Sequence, residues 1–269
     1  MDLSDQYDTS KQVRDGDVQP YFDDFNAASE RARAVLRPRT NVRYGPHERE
    51  TVDFFAAPAP GAPLFVWVHG GYWRRMSKDA FSFIAEPIVL AGGAVAILNY
   101  PLAPGPTLDD IVASVRRGFA FSRSSAGSLL ANPARTFVGG HSVGAQLAAM
   151  IAANEEVSGM LALSGLYDLE PLRRTHINAW IAMDAAIARR NSPLYNRPRA
   201  SASLVASVGS REQAAFHTQQ RAYVAAWRSW GAAATEVPGE GHDHFSIVRQ
   251  LGDATAPLTG ALLAMMSLG

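Results

Sequence analysis

The feature that most constrains this chain is a rhythm. Short apolar, β-rich runs at Leu64–Val68, Ala94–Leu98, Thr136–Val138, Met160–Leu163, Ser203–Val208 and Ala234–Val237 alternate with helical patterns near Lys78–Ala91, Thr107–Ser122, Ser142–Ala153, Gln213–Trp230 and Thr255–Met266. Strands that are apolar on both faces must be covered on both faces, and helices that connect strands of one direction supply that cover. The expected fold class is therefore α/β, with a mostly parallel central sheet flanked by helices. Thr51–Phe55 reads as one more strand, and Tyr21–Leu36 as an amphipathic helix. Pro38 stops that helix, because proline cannot continue the hydrogen-bond ladder. Between Tyr167 and Arg199 the rhythm breaks into extra helix, two prolines and the aromatics Trp180 and Tyr195. In a parallel α/β fold an insertion after the carboxyl end of a strand overhangs the ligand crevice. That span is expected to be a small cap on a single domain of residues 1–269, with residues 1–40 as an N-terminal arm. The proline-rich stretch Ala57–Pro63 is a stiff loop, too short to separate domains.

Composition closes several routes to function. Lys and Arg number 25, as do Asp and Glu, so the formal net charge is zero. A binder of nucleic acid or of an anionic membrane needs a basic excess, and neither partner is expected. With no cysteine, the chain has no thiolate for a metal, a disulfide or nucleophilic attack. The longest apolar stretch, Ile88–Leu98, is interrupted by Gly92-Gly93 and falls well short of the roughly 20 residues that a spanning helix requires. The polar, acidic start MDLSDQYDTSKQ does not resemble a signal peptide. The expected setting is soluble and cytoplasmic, and the expected partner a neutral or zwitterionic small-molecule substrate.

The strongest local signal is Gly140-His-Ser142-Val-Gly144, which follows a strand and opens a helix. A serine on such a sharp turn needs flanking glycines, because Cβ atoms at those positions would collide. The turn projects Ser142 Oγ into the crevice above a helix N-terminus, whose free N–H groups favour a developing oxyanion. His69-Gly70-Gly71 ends the strand Leu64–Val68. Glycines there allow backbone N–H groups to approach a substrate carbonyl, so Gly70, Gly71 and Val143 are the expected oxyanion hole. Tyr72 and Trp73 follow directly and are candidate walls of a substrate pocket, as are Trp180 and Tyr195 in the cap.

With a serine turn of this kind, the histidine base is expected near the chain's end, after the last strand, and the acid after the preceding strand. His244 is the expected base, because it precedes the apolar run Phe245–Val248 that would anchor its loop, whereas His242 follows the mobile Gly241. The pair His242-x-His244 suggests a metal only superficially, since no further ligand cluster accompanies it. Glu212, in the loop after Ser203–Val208, is the expected acid. Asp168, after the preceding strand, is the rival, although a turn-capping role suits it better. His141 is expected to point away from the crevice and to pack.

Taken together, His69-Gly-Gly-Tyr-Trp73, Ser77-Lys-Asp79, Asn99-Tyr100 with Ala103-Pro104, Gly140-His-Ser-Val-Gly144, Ser164-Gly-Leu-Tyr-Asp-Leu-Glu-Pro171 and Asp243-His-Phe245 resemble the arylformamidases, the kynurenine formamidases of the α/β-hydrolase superfamily. The resemblance extends over nearly the whole chain. It implies Ser142 as nucleophile, His244 as base and the position of Glu212 as acid, where the family typically carries Asp. It implies hydrolysis of N-formylkynurenine to kynurenine and formate, with no metal and no organic cofactor, and it is compatible with a homodimer. The alternative on the same residues is a short-chain carboxylesterase, because an ester leaves more easily than an amide.

Overall fold

A computed structural model describes residues 3–268. Eight strands form one sheet: β1 (Arg39–Arg43), β2 (Thr51–Phe55), β3 (Ala62–Val68), β4 (Ala94–Leu98), β5 (Ala131–His141), β6 (Gly159–Leu163), β7 (Ser203–Ser207) and β8 (Ala234–Glu236). Their spatial order is β1-β2-β4-β3-β5-β6-β7-β8. β1, β2 and β4 pair antiparallel, and all pairings from β4 through β8 are parallel. Helices Leu108–Ser124, Val143–Asn154 and Ala214–Ser229 are among those that flank the sheet. Every residue of β2, β3, β4 and β6 is buried, which explains why these strands read as continuous apolar runs.

Two hydrophobic clusters cover the two faces. One contains Val66, Leu147 and Trp227, the other Phe65, Trp67 and Phe81. Consecutive strand residues such as Phe65 and Val66 fall in different clusters because side chains alternate across a sheet.

The register brings the carboxyl ends of four strands level. Val68 pairs with Gly140, His141 with Leu163, and Leu163 with Ser207. An isolated bridge, Gly209 with Gly239, continues the alignment beyond β7 and β8. The turns that follow β3, β5, β6, β7 and β8 therefore open on one edge, the place where α/β sheets present their sites.

Some local expectations changed. β1 was not anticipated: Arg39–Arg43 has one partly buried residue and the rest exposed, so it lacks the apolar run that marks the other strands. β5 begins earlier than Thr136, and Lys78–Ala91 divides into a 3₁₀ helix, Lys78–Ile84, and an α-helix, Ala85–Leu90. Lys78 is fully buried and ion-paired with buried Asp53 at 2.9 Å, which pins the 3₁₀ segment to β2. Residues 167–199 hold short helices at Glu170–Arg174, Asn178–Ile181, Ala185–Arg190 and Pro193–Tyr195. Among the described residues no helix is long and apolar enough to cross a membrane.

Candidate active site

Ser142 sits between β5 and the helix Val143–Asn154, with φ 58° and ψ −127°. A non-glycine residue held there is strained, and its surroundings must over-determine it. They do so through close backbone approach. A Cβ on Gly140 would lie 2.1 Å from the Gly144 carbonyl oxygen, and one on Gly144 would lie 2.2 Å from that of Val68. The Ser142 N–H donates to the Leu163 carbonyl at 2.8 Å, tying the turn to β6.

His244 follows β8 in a loop built around Asp243. The Asp243 carboxylate accepts from Tyr21 Oη at 2.7 Å, from Arg211 at 3.0 Å, and from the N–H groups of Phe245 and Ser246. Burial raises the Asp243 pKa, but these hydrogen bonds outweigh it and hold the carboxyl below its ordinary range. His244 Nδ1 donates to Glu212 Oε2 at 2.6 Å, and both side chains are almost wholly excluded from solvent. The other carboxylate oxygen of Glu212 accepts from Ser164 Oγ at 2.5 Å and from Gly209 N–H at 2.8 Å. The longer arm of Glu thus folds back over its own turn, and its carboxylate reaches the imidazole with both oxygens occupied.

Asp168 lies elsewhere. Its carboxylate accepts from the Glu170 N–H at 3.1 Å, a local turn cap. His242 faces Ser246 at 3.3 Å. Among the described residues no cluster of three or more His, Asp or Glu side chains could hold a metal.

Ser142 and His244 line one cavity of about 300 Å³. Its walls include Phe22, Phe25, Phe81 and Phe245, together with Gly71, Tyr72, Arg75 and Trp180. Gly71, Tyr72 and Trp73 all have positive φ, at 108°, 50° and 57°. A Cβ on Gly70 would come within 2.9 Å of the His141 carbonyl oxygen, so the β3 turn presses its backbone against the serine turn. Val143 opens the helix, where an N–H has no carbonyl one turn back.

Three expectations about side chains are corrected. Trp73 does not line the cavity: its indole is fully buried in the core and donates to Gln146 at 3.1 Å. Tyr195 is 44% exposed, lies beneath the Arg189 guanidinium and points its hydroxyl at Asp168. His141 does not turn away. It lines the cavity, with its ring centroid 4.5 Å from that of His244. Burial, with the neighbouring His244, drives the His141 pKa well below its ordinary value, so it is a neutral imidazole.

The arm also encloses the cavity, which no sequence pattern announces. Tyr7, Asp8, Thr9, Ser10, Gly16 and Val18 all line the cavity. Tyr72 Oη donates to the Tyr7 carbonyl at 2.5 Å, Gln213 donates to that of Asp8, and Gln12 accepts from the His244 N–H at 3.1 Å. Nothing local in the sequence signals these contacts, since partners such as Gln12 and His244 are 232 positions apart.

A serine on a strained strand-to-helix turn, a buried histidine–carboxylate pair and a parallel sheet that presents both at its carboxyl edge define a hydrolase of the α/β-hydrolase class. Comparisons with known proteins agree. The BD-FAE family model matches residues 54–186. An esterase from Pyrobaculum calidifontis superposes with a TM-score of 0.71 at 15% identity, covering 94% of each chain, which bears on the fold alone. A Silicibacter protein with a provisional thioesterase designation superposes with a TM-score of 0.87 at 28% identity over 99% of both chains. The kynurenine formamidase of Danio rerio is 31% identical over 93% of this chain and 89% of its own length. That of Salmo salar is 33% identical over 88% of this chain and 85% of its own. The chain belongs to the kynurenine formamidase family.

Proposed function

We propose that this enzyme hydrolyses N-formylkynurenine to kynurenine and formate in the cytoplasm, with Ser142 as nucleophile, His244 as general base and acid, and Glu212 as the orienting acid. The observation that carries this reading is the buried His244–Glu212 hydrogen bond of 2.6 Å beside a serine held at φ 58° in one aromatic cavity. Kynurenine formamidases as the relatives favour a formamide substrate.

In this reading Ser142 Oγ attacks the formyl carbon while its proton passes to His244 Nε2. The carbonyl electron pair moves onto oxygen, and N–H groups of the Gly70-Gly71 turn and of Val143 stabilise the charge. Losing one such donor costs about 3–4 kcal/mol of barrier stabilisation. The intermediate collapses with cleavage of the C–N bond, and His244 returns its proton to the departing aryl amine, which is too poor a leaving group as an anion. Water, deprotonated by His244, then attacks the formyl ester. Formate leaves, and Ser142 regains its proton. Glu212 holds the imidazole tautomer with Nε2 free and stabilises the imidazolium. The mechanism requires no metal or organic cofactor.

A second reading, a short-chain carboxylesterase on the same residues, is favoured by the similarity to the esterase LipQ of Mycobacterium tuberculosis, 26% identical over 78% of this chain. The deciding experiment compares kcat/KM for N-formylkynurenine and for p-nitrophenyl acetate on purified enzyme. Turnover of the ester without turnover of the formamide overturns the first reading.

A further inference from the structure

The cavity is lined by the rings of Phe22, Phe25 and Phe81 and, where it meets solvent, by an exposed arginine. Arg75 is exposed, lines the cavity beside Tyr72, and among the described residues has no carboxylate partner. Its neighbour Arg74 is committed differently, lying 4.3 Å over the Trp180 ring. Asp8 of the arm lines the same cavity. One oxygen of Asp8 accepts from the N–H and hydroxyl of Ser10, at 3.1 and 2.6 Å. Burial raises the pKa of the neighbouring Tyr72 hydroxyl; Asp8 adds to that rise and Arg75 opposes it. One cavity wall thus carries a guanidinium and a carboxylate beside the nucleophile's pocket.

This pairing of signs matters for what can enter. A charged group taken in among Phe22, Phe25 and Phe81 would lose its hydration without compensation. A substrate with an aryl amide at one end and a charged head at the other must place the aryl end inward and leave the head at the mouth. An unpaired guanidinium is suited to a carboxylate, which it can hold by two parallel hydrogen bonds. A carboxylate nearby suits an ammonium group.

We propose that Arg75 and Asp8 form a recognition site for the α-amino-acid head of the substrate, with Arg75 holding the carboxylate and Asp8 the ammonium group. The assignment rests on the formamidase reading above and adds to it the determinant that separates an amino-acid formamide from a plain aryl formamide. Arg75 and Asp8 are specificity residues here, since neither touches the reacting bond.

The test is a ratio of kcat/KM for two substrates, N-formylkynurenine and N-formylaniline, which share the scissile bond and differ in the zwitterionic head. The native enzyme is expected to favour the zwitterion. Arg75→Gln lowers the ratio about ten-fold, Arg75→Glu lowers it further, and Asp8→Asn lowers it about three-fold, the scale expected for single charge contacts at a rim. The loss appears mainly in KM. A merely structural role would depress both substrates together and leave the ratio unmoved, so a ratio within about two-fold of the native value in Arg75→Gln and Arg75→Glu overturns the proposal. Failure of the native enzyme to cleave either formamide would instead overturn the formamidase reading.

Discussion

The cavity wall has two parts, Ser142 with His244 and the arm residues Tyr7–Ser10. The first side is anchored to the sheet. Ser142 is tied to β6 by a backbone bond, its flanking glycines lie against backbone atoms, and Glu212 is locked by Ser164 and Gly209. The arm is anchored by side chains that reach backbone carbonyls, through Tyr72 and Gln213, and by the edge-on contact of Tyr7 with Phe216. Positions set by a hydrogen-bonded sheet tolerate little displacement, whereas contacts of the second kind separate at modest cost. The sheet side suits bond-making chemistry, and the arm suits substrate selection.

That contrast can be broken at several points. The largest expected effect is at Ser142, the proposed nucleophile. Ser142→Ala should lower kcat for N-formylkynurenine by about 10⁶-fold, equivalent to ~8 kcal/mol, and abolish labelling by a fluorophosphonate. Retained labelling would place the nucleophile elsewhere.

Next comes the acid. Glu212→Gln should cut kcat by about 10⁴-fold, because the amide fixes the wrong imidazole tautomer, while the melting temperature stays near the native value. Asp168→Asn should stay within about two-fold of native, since its carboxylate caps a turn. The reverse pattern would move the acid to Asp168.

The sheet side should also carry its own pH dependence. His69 is fully buried between Phe81 and Tyr100, under the Gly70-Gly71 turn, and burial pushes its pKa down to about 4. Its ordinary value is 6.5, so between those values the unfolded chain binds a proton that the folded chain refuses. The contribution of His69 is therefore complete above about pH 6.5, is lost as the pH falls to about 4, and amounts to ~3 kcal/mol. Denaturant titrations across that window should show the decline, and in His69→Gln it should be flatter. An equal slope in both proteins would assign the acid sensitivity elsewhere.

The smallest effect is expected in the arm. Gln12→Ala removes the acceptor of the His244 N–H, a net loss of about 1 kcal/mol. KM should rise several-fold with kcat within about three-fold. A collapse of kcat would show that the arm positions His244, and the division between the two sides would fail.

Legibility followed the same division. Gly140 and Gly144 could be read as requirements of a serine turn because steric collision is a local matter. Ser142, Glu212 and His244 could be placed in order because each follows a recognisable strand. The orientations of Trp73, Tyr195 and His141 are not legible, because they depend on neighbours such as Gln146, Arg189 and His244, which only the chain's path brings together. β1 escaped notice because an exposed edge strand needs no apolar run.

By itself the sequence determined the α/β architecture, through apolar runs that must be covered on both faces, and the position of the strained serine, through glycines that no other residue can replace. What encloses the cavity depends instead on contacts that exist only once the chain is folded. The arm, the inward His141 and the charged side chains of Arg75 and Asp8 come to one cavity across separations that leave no periodic trace in the chain. Hydrophobic burial of sheet and helices sets those distances, and burial acts on the whole molecule at once.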